Sequence, residues 1–309
     1  MSFNSPKKAI QIASTTAVLL AIIKLVGGIM SGSLVVISSA IDSLLDFFVS
    51  IVNGLALKKS AKKEDELYNY GYSKIEGFAA LTEGVIILIS GSLVAFLAMK
   101  KYFTGNFEMD SSISLYFMGV SIFFTIFVVY YLNRVAKNTD NLIIKSDALH
   151  YKTDLYTNAG IIITIILIKL TGLFVIDLIV SLAISVYIMI GAGAIIKEAY
   201  EMLMDKALES SKIKIIKEII DTSSPAVTSH HFLKTRKSGG SVFIEFHLVF
   251  NKEITLFEAH QIGDLIECKI KKEIPNSILT VHLDPLDDSH IDACRVIFEN
   301  QDTKKEVSA

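Results

Sequence analysis

Cysteine, proline and charge are all scarce in this chain: its 309 residues include two cysteines and four prolines, and only 20% are charged. Cys268 and Cys294 lie far apart in the polar C-terminal part, and neither sits in a Cys-x-x-Cys pattern. That excludes a disulfide-rich frame and leaves free thiols in a reducing compartment. The net charge is -2 and no strongly basic domain stands out, which argues against nucleic acid as a partner. No His-Glu-x-x-His sequence occurs, so the helix signature of a zinc protease is missing. Lys7 and Lys8 precede an apolar stretch, as in a signal peptide, but the stretch runs too long and lacks a small-residue cleavage site. It is expected to be retained as a first transmembrane helix.

What the chain has in quantity is apolar sequence. It is 51% hydrophobic, with a positive mean hydropathy, abnormal for a soluble protein of this length. Six segments reach the roughly 20 apolar residues that a spanning helix needs: about 9–30, 34–57, 77–99, 113–133, 147–169 and 175–197. Ser31-Gly32-Ser33 and the turn around Thr171-Gly172 are too short to join anything but antiparallel neighbours, so helices one and two, and five and six, read as hairpins. Lys7, Lys8, Lys58, Lys59, Lys62, Lys63, Arg134, Lys137 and Lys145 fall on one side, against Lys100, Lys101 and Lys169 on the other. The positive-inside rule then places both termini in the cytoplasm. Gly27-Gly28 and Gly191-Ala192-Gly193 allow close helix contact or a local bend.

From about Glu209 the composition is that of a soluble domain. Ile213, Ile216, Ile219 and Ile220 recur at helical spacing, and Val227 to Arg236 and Val242 to Phe250 read as strands joined by Ser238-Gly239-Gly240. Thr255-x-x-Glu258 opens an amphipathic helix to Glu273 with a capping box, and Ser277 to Leu283 returns to the β pattern. The fold expected is an α-helical membrane protein of six transmembrane helices with a C-terminal cytosolic α+β domain of order α-β-β-α-β. Its divisions fall at 1–208 (membrane), 209–286 (cytosolic) and 287–309 (a disordered polar tail).

Two stretches carry the chemistry. In Asp42-Ser43-Leu44-Leu45-Asp46 and in His150-Tyr151-Lys152-Thr153-Asp154, metal-type ligands sit four apart, about one helical turn, so each pair projects from one face. A charged side chain at membrane depth costs at least about 2.5 to 3.5 kcal/mol unless it pairs, meets water or binds an ion. An isolated carboxylate could serve as a hydrogen bond between helices, but that explanation has to be repeated four times. Three carboxylates and one imidazole suit Zn2+, with enough ligands to close a tetrahedron. Crowded like charges also repel, so such a site takes up protons when it is free of metal and releases them when metal enters. That supplies a physical basis for exchanging a divalent cation against protons.

With these paired motifs, the six helices and the domain that follows, the chain resembles the cation diffusion facilitator family, specifically its bacterial zinc and ferrous-iron efflux branch, over about residues 9 to 286. The resemblance implies a homodimer, set in the lipid of a bacterial inner membrane, that exports Zn2+ or related ions from the cytoplasm against protons by alternating inward-facing and outward-facing states. It assigns Asp42, Asp46, His150 and Asp154 to the transport site. It pairs Lys74, within Tyr72-Ser73-Lys74-Ile75-Glu76, with Asp205 as a salt bridge that interlocks the dimer. It assigns His231, His247, His260, His282 and Asp284 to a binuclear regulatory site in the cytosolic domain, with Phe-Ile-Glu-Phe-His247 and Val281-His282-Leu283-Asp284 as the clearest local matches. Relatives also bind metal in the loop between helices two and three through histidines. Here Tyr68 and Tyr72, beside Asp65, hold those places, and phenols are poor Zn2+ ligands, so a loop site should be absent or weak. Leu283 replaces a polar residue of some relatives and puts the second cytosolic metal in question. The tail segment from Asp287 to Cys294 reads as a solvated acidic tail, with weak metal capture as the alternative.

Zn2+ is favoured by one imidazole among carboxylates, but Fe2+, Cd2+, Co2+ and Mn2+ remain alternatives. So does a membrane metal sensor without flux. An enzyme is disfavoured, because four protein ligands leave no position for a catalytic water.

Overall fold

A computed structural model of the chain describes residues 5–31, 34–104, 112–173 and 175–286. The tail 287–309 and the side chain of Asp42 lie outside the described residues. Six long helices come first: α1 (Pro6–Ser31), α2 (Leu34–Ser60), α3 (Lys74–Thr104), α4 (Ser112–Thr139), α5 (Leu142–Thr171) and α6 (Val175–Leu203). They are followed by α7 (Ser210–Ser223), β1 (Val227–Ser238), β2 (Ser241–Phe250), α8 (Leu256–Glu273) and β3 (Ser277–Pro285). The chain is thus a helical membrane protein with a small C-terminal α-β-β-α-β unit. The described residues fall into two compact units, 5–204 with Ser238–Gly240, and Asp205–Lys237 with 241–286.

The helices outrun the apolar segments that announce them. The shortest, α1, has 26 residues, or about 39 Å at 1.5 Å per residue, against a hydrocarbon core of about 30 Å. Apolarity marks only the part that meets lipid. The helices continue beyond it into residues such as Lys58, Lys59, Arg134 and Lys137, which can reach water. Among the described residues, four stretches are long and apolar enough to cross a membrane: Pro6–Gly27, Lys74–Thr104, Gly119–Thr139 and Val175–Leu203. The remaining two helices, α2 and α5, hold the carboxylates and the imidazole. Large apolar side chains such as Ile29, Phe96, Phe123 and Ile190 point outward, as lipid-facing residues must.

Within the membrane unit α1 packs on α2, α3 on α6, and α5 on both α4 and α6. One core joins Ala9, Ile10 and Ala13 to Leu132, Val135, Ile143, Ile144 and Tyr151. A second joins Ala80 and Ile87 to Leu149, Ile188 and Ala192. Helix α5 approaches α6 closely at a glycine: a Cβ at Gly191 would fall 2.9 Å from Leu149 Cδ1 and displace that side chain, whereas Gly193 faces open space. Helix α5 starts at Asn141, whose side chain accepts the Ile144 N–H, and ends at Gly172 in the left-handed region (φ 70°), its N–H bonded to Ile168 O.

In the smaller unit the strand order is β1-β2-β3, and β2 pairs in parallel with β3. Ile216 and Ile220 of α7, Ile244, Phe246 and Leu248 of β2, and Ile266 and Ile270 of α8 close its core. This leaves the other sheet face free for polar side chains. The capping box of α8 forms as its sequence suggests, with Thr255 accepting the Glu258 N–H while Glu258 accepts the Thr255 N–H. These bonds, from the Thr255 backbone first and then its hydroxyl, hold the Glu258 carboxyl below its usual range. Thr255→Ala is expected to destabilise the smaller unit by about 1 kcal/mol, read as a lowered melting transition. A depressed carboxyl favours the fold above its unfolded value, near pH 4.3. The contribution of Glu258 is therefore complete at neutral pH and fades as acid protonates it in the folded state.

Candidate metal centres

Helix α5 turns His150 and Asp154 to one face, and α2 brings Asp46 against them. One donor atom from each of the three lies within 4.8 Å of the others. His150 Nε2 stands 3.0 Å from Asp46 Oδ1, so the atoms that would ligate a cation already converge on one another. Asp42 lies one turn earlier on α2; its side chain is not described. The neighbouring Tyr151 is held from the other side, its hydroxyl donating to Ala13 O at 3.1 Å. This fixes the rotation of α5 and with it the direction of His150 and Asp154.

Sequence reasoning passed over several polar groups in the same bundle. Lys24 of α1 is buried, and its Nζ donates to Ser43 Oγ at 2.9 Å. Ser43 falls between the two aspartates of α2. Asn53 of α2, Glu83 of α3, and Ser146 and Asp147 of α5 form a second buried polar group. Each was signalled in the same way as the ligands, by a polar residue inside an apolar run. None stands in an i, i+4 pair of ligand types, so spacing did not single them out.

On the sheet of the smaller unit, the period of two along each strand puts His231 of β1, His247 of β2, and His282 and Asp284 of β3 on one face. The parallel register sets His247 opposite His282, with ring centroids 4.7 Å apart, and His231 lies 4.9 Å from His247. Asp284 is buried and is the hub. Its Oδ2 is 2.9 Å from His247 Nδ1 and 3.2 Å from His231 Nε2, and its Oδ1 is 2.9 Å from His282 Nε2. His231, His247 and Asp284 each offer a donor atom within 4.8 Å of the other two. His260 lies elsewhere, on α8, with Nε2 3.6 Å from Asp264 Oδ2.

In the loop after α2, Asp65 is committed to its own turn. Its Oδ2 accepts from Lys62 Nζ at 2.5 Å and the Tyr72 hydroxyl at 2.8 Å, and its Oδ1 accepts the N–H groups of Leu67 and Tyr68. The Lys62 ammonium, then the Tyr72 hydroxyl and the Tyr68 N–H, hold this carboxyl well below the carboxylate range. Tyr68 and Tyr72 stack with ring centroids 4.6 Å apart. Of the two residues expected to interlock a dimer, Lys74 donates to Leu203 O at 3.2 Å, while Asp205 lies 3.1 Å from Arg236 Nη1.

The sequence profile of the cation efflux transmembrane domain matches residues 10–204, and that of the cation efflux protein cytoplasmic domain matches 208–286. The chain is 33% identical over 291 residues to Protein p34 of Rickettsia rickettsii (strain Sheila Smith), covering 92% of this chain and 95% of that one. It is 30% identical to the cation-efflux pump FieF of Serratia proteamaculans (strain 568), covering 90% and 92%. To the cation-efflux pump FieF of Escherichia fergusonii it is 31% identical, covering 88% and 90%. Among solved structures, a chain of CzrB, described as a candidate zinc transporter, is 29% identical over 26% of this chain and 98% of its own, with a TM-score of 0.25.

The Asp284 hub generates a test. In full-length protein carrying Asp154→Ala to weaken the membrane group, adding Asp284→Asn is expected to weaken Zn2+ binding at the sheet face by at least about 10- to 100-fold, the loss that even outer partners of a ligand produce. Equilibrium titration with Zn2+ measures it.

Proposed function

The chain belongs to the cation efflux family of membrane transporters, and from that membership we propose that it is a proton-coupled exporter of divalent metal cations, Zn2+ first among them. The observation that carries the reading is the convergence of Asp46 of α2 with His150 and Asp154 of α5. Asp42, one turn from Asp46 on the same helix, completes a set of one nitrogen and three carboxylate ligands suited to a tetrahedral Zn2+ site. Fe2+, Cd2+, Co2+ and Mn2+ compete for such ligands, and flux ranks them.

The proton supplies the exchange. An imidazole ligates only through an unprotonated nitrogen and a carboxylate only when ionised, so metal entry expels protons and metal departure invites them back. The ligands are divided between α2 and α5, so a change in the tilt of one helix against the other dismantles the site. Alternating access follows if that tilt opens the site first to the cytoplasm and then to the opposite side. The distribution of lysine and arginine orients the protein with both termini in the cytoplasm of a bacterial inner membrane.

In this reading residues 1–208 form the transport domain, 209–286 the cytosolic metal-binding and dimerisation domain, and 287–309 a polar tail. The working unit is a homodimer. Metal held by His231, His247, His282 and Asp284 joins the two cytosolic domains, with His260 of α8 serving as a further ligand where the domains meet, and Lys74 and Asp205 interlock the membrane halves. The loop at Asp65 binds metal weakly or not at all, a reading supported by the four donors that already occupy its carboxylate.

Flux into proteoliposomes under an imposed pH gradient tests the proposal. Zn2+ uptake that depends on the gradient and falls to the protein-free background in Asp154→Ala is the expected result. Flux unaffected by the substitution would remove the site assignment, and no flux from oriented, folded protein would favour a sensor.

A further inference from the structure

The second buried polar group of the bundle has a composition that hydrogen bonding alone leaves incomplete. Glu83 is 3% exposed and Asp147 is fully buried. Asn53 Nδ2 bridges them, donating to Glu83 Oε2 at 3.1 Å and to Asp147 Oδ1 at 3.4 Å. Ser146 Oγ donates to the same Glu83 Oε2 at 2.5 Å. Each carboxyl therefore has one oxygen served by donors, while the other, Glu83 Oε1 and Asp147 Oδ2, is buried without a partner.

An ionised carboxylate withdrawn from water costs several kcal/mol even after relaxation, and neutral amide and hydroxyl donors do not cancel two charges. The groups that act on the pair electrostatically are His150 of α5 and Asp46 of α2, with the Tyr151 phenol close by. The imidazole already faces Asp46 and Asp154, and Asp46 adds charge of the same sign as the pair. Lys145, at the head of α5, is engaged with Asp140 and Glu198. What the two orphaned oxygens lack is positive charge. A metal ion with its ligand shell needs a cavity; a proton needs none, and Ser146 and Asp147 are fully enclosed.

We propose that Glu83 and Asp147, bridged by Asn53, form a proton-binding site separate from the metal ligands, and that this site carries part of the proton exchanged for metal. This rests on the proton-coupled reading above. The placement suits the task. Asp147 precedes His150 by three residues and Asn53 follows Asp46 by seven, about 4.5 and 10 Å along their helices. The pair thus lies one to two turns from the metal group, toward the Leu142 end of α5. A divalent cation arriving at His150 repels the proton held there, and the carboxylic O–H gives it up to water. When the metal leaves, the carboxylate takes a proton back. The pair couples through charge, without ligating the metal.

The test counts protons. Zn2+ binding to the full-length protein, titrated in buffers of different ionisation enthalpy, gives the protons released per Zn2+, and dye-loaded proteoliposomes give the pH dependence of flux. Glu83→Gln is expected to release fewer protons per Zn2+ than the native protein and to flatten the pH profile, with Zn2+ affinity within about threefold of native. Glu83→Asp, which keeps a titratable group, is expected to restore the count, and Asp147→Asn serves as a second variant should Glu83→Gln fold poorly. A native proton count and pH profile in both neutral variants would overturn the inference while leaving proton coupling intact. A native protein that releases no protons would overturn both.

Discussion

The cost of holding charge at membrane depth organises this protein. Carboxylates, an imidazole and an ammonium sit within helices long enough to cross a bilayer, and each would be expelled by lipid if it stood alone. They occur together, on the faces of α1, α2, α3 and α5 that meet inside the bundle. The helices built mainly of apolar residues supply the enclosure, and their exposed leucine, isoleucine and phenylalanine side chains give it a lipid-facing surface. In the proposed export cycle the cargo itself supplies the missing counter-charge. Under the proposed exchange, metal would compensate the carboxylates while bound and protons would do so after it leaves, keeping the interior near neutral throughout.

The smaller unit gathers similar ligands by another geometry. On α5 a spacing of four residues aligns His150 with Asp154. On the sheet, two residues separate His282 from Asp284, and strand pairing brings in His231 and His247. Asp284 touches all three imidazoles, which makes it the residue on which that face depends. The membrane group is divided between two helices, whereas the sheet group is set by a hydrogen-bonded ladder. Under the proposed function that contrast suits a transport site that releases its ion on one side and a sheet site that holds its ion.

Much of the fold was legible in the sequence because a bilayer imposes long apolar runs, and the six runs correspond to the six long helices. Their ends were not, since hydropathy reports contact with lipid and the helices continue past it. The paired motifs stood out through their regular spacing. Lys24, Asn53 and Glu83 did not, because each is a single polar residue whose partner comes from a different helix. In the smaller unit the capping box at Thr255 could be read locally. The position of His282 beside His247 could not, since it depends on β3 running parallel to β2 across an intervening helix. His260 shows the same limit: it shares its residue type with the sheet histidines but lies on another element of the protomer.

The proposed export depends on the membrane carboxylates and His150 holding a divalent cation. That dependence is tested most directly by X-ray absorption at the zinc edge on full-length protein whose sheet site is disabled by His247→Ala with Asp284→Ala. Retained Zn2+ with four nitrogen and oxygen ligands at about 2.0 to 2.2 Å, one of them an imidazole, is the expected result. No retained Zn2+, or a shell of six oxygens without imidazole, would contradict it.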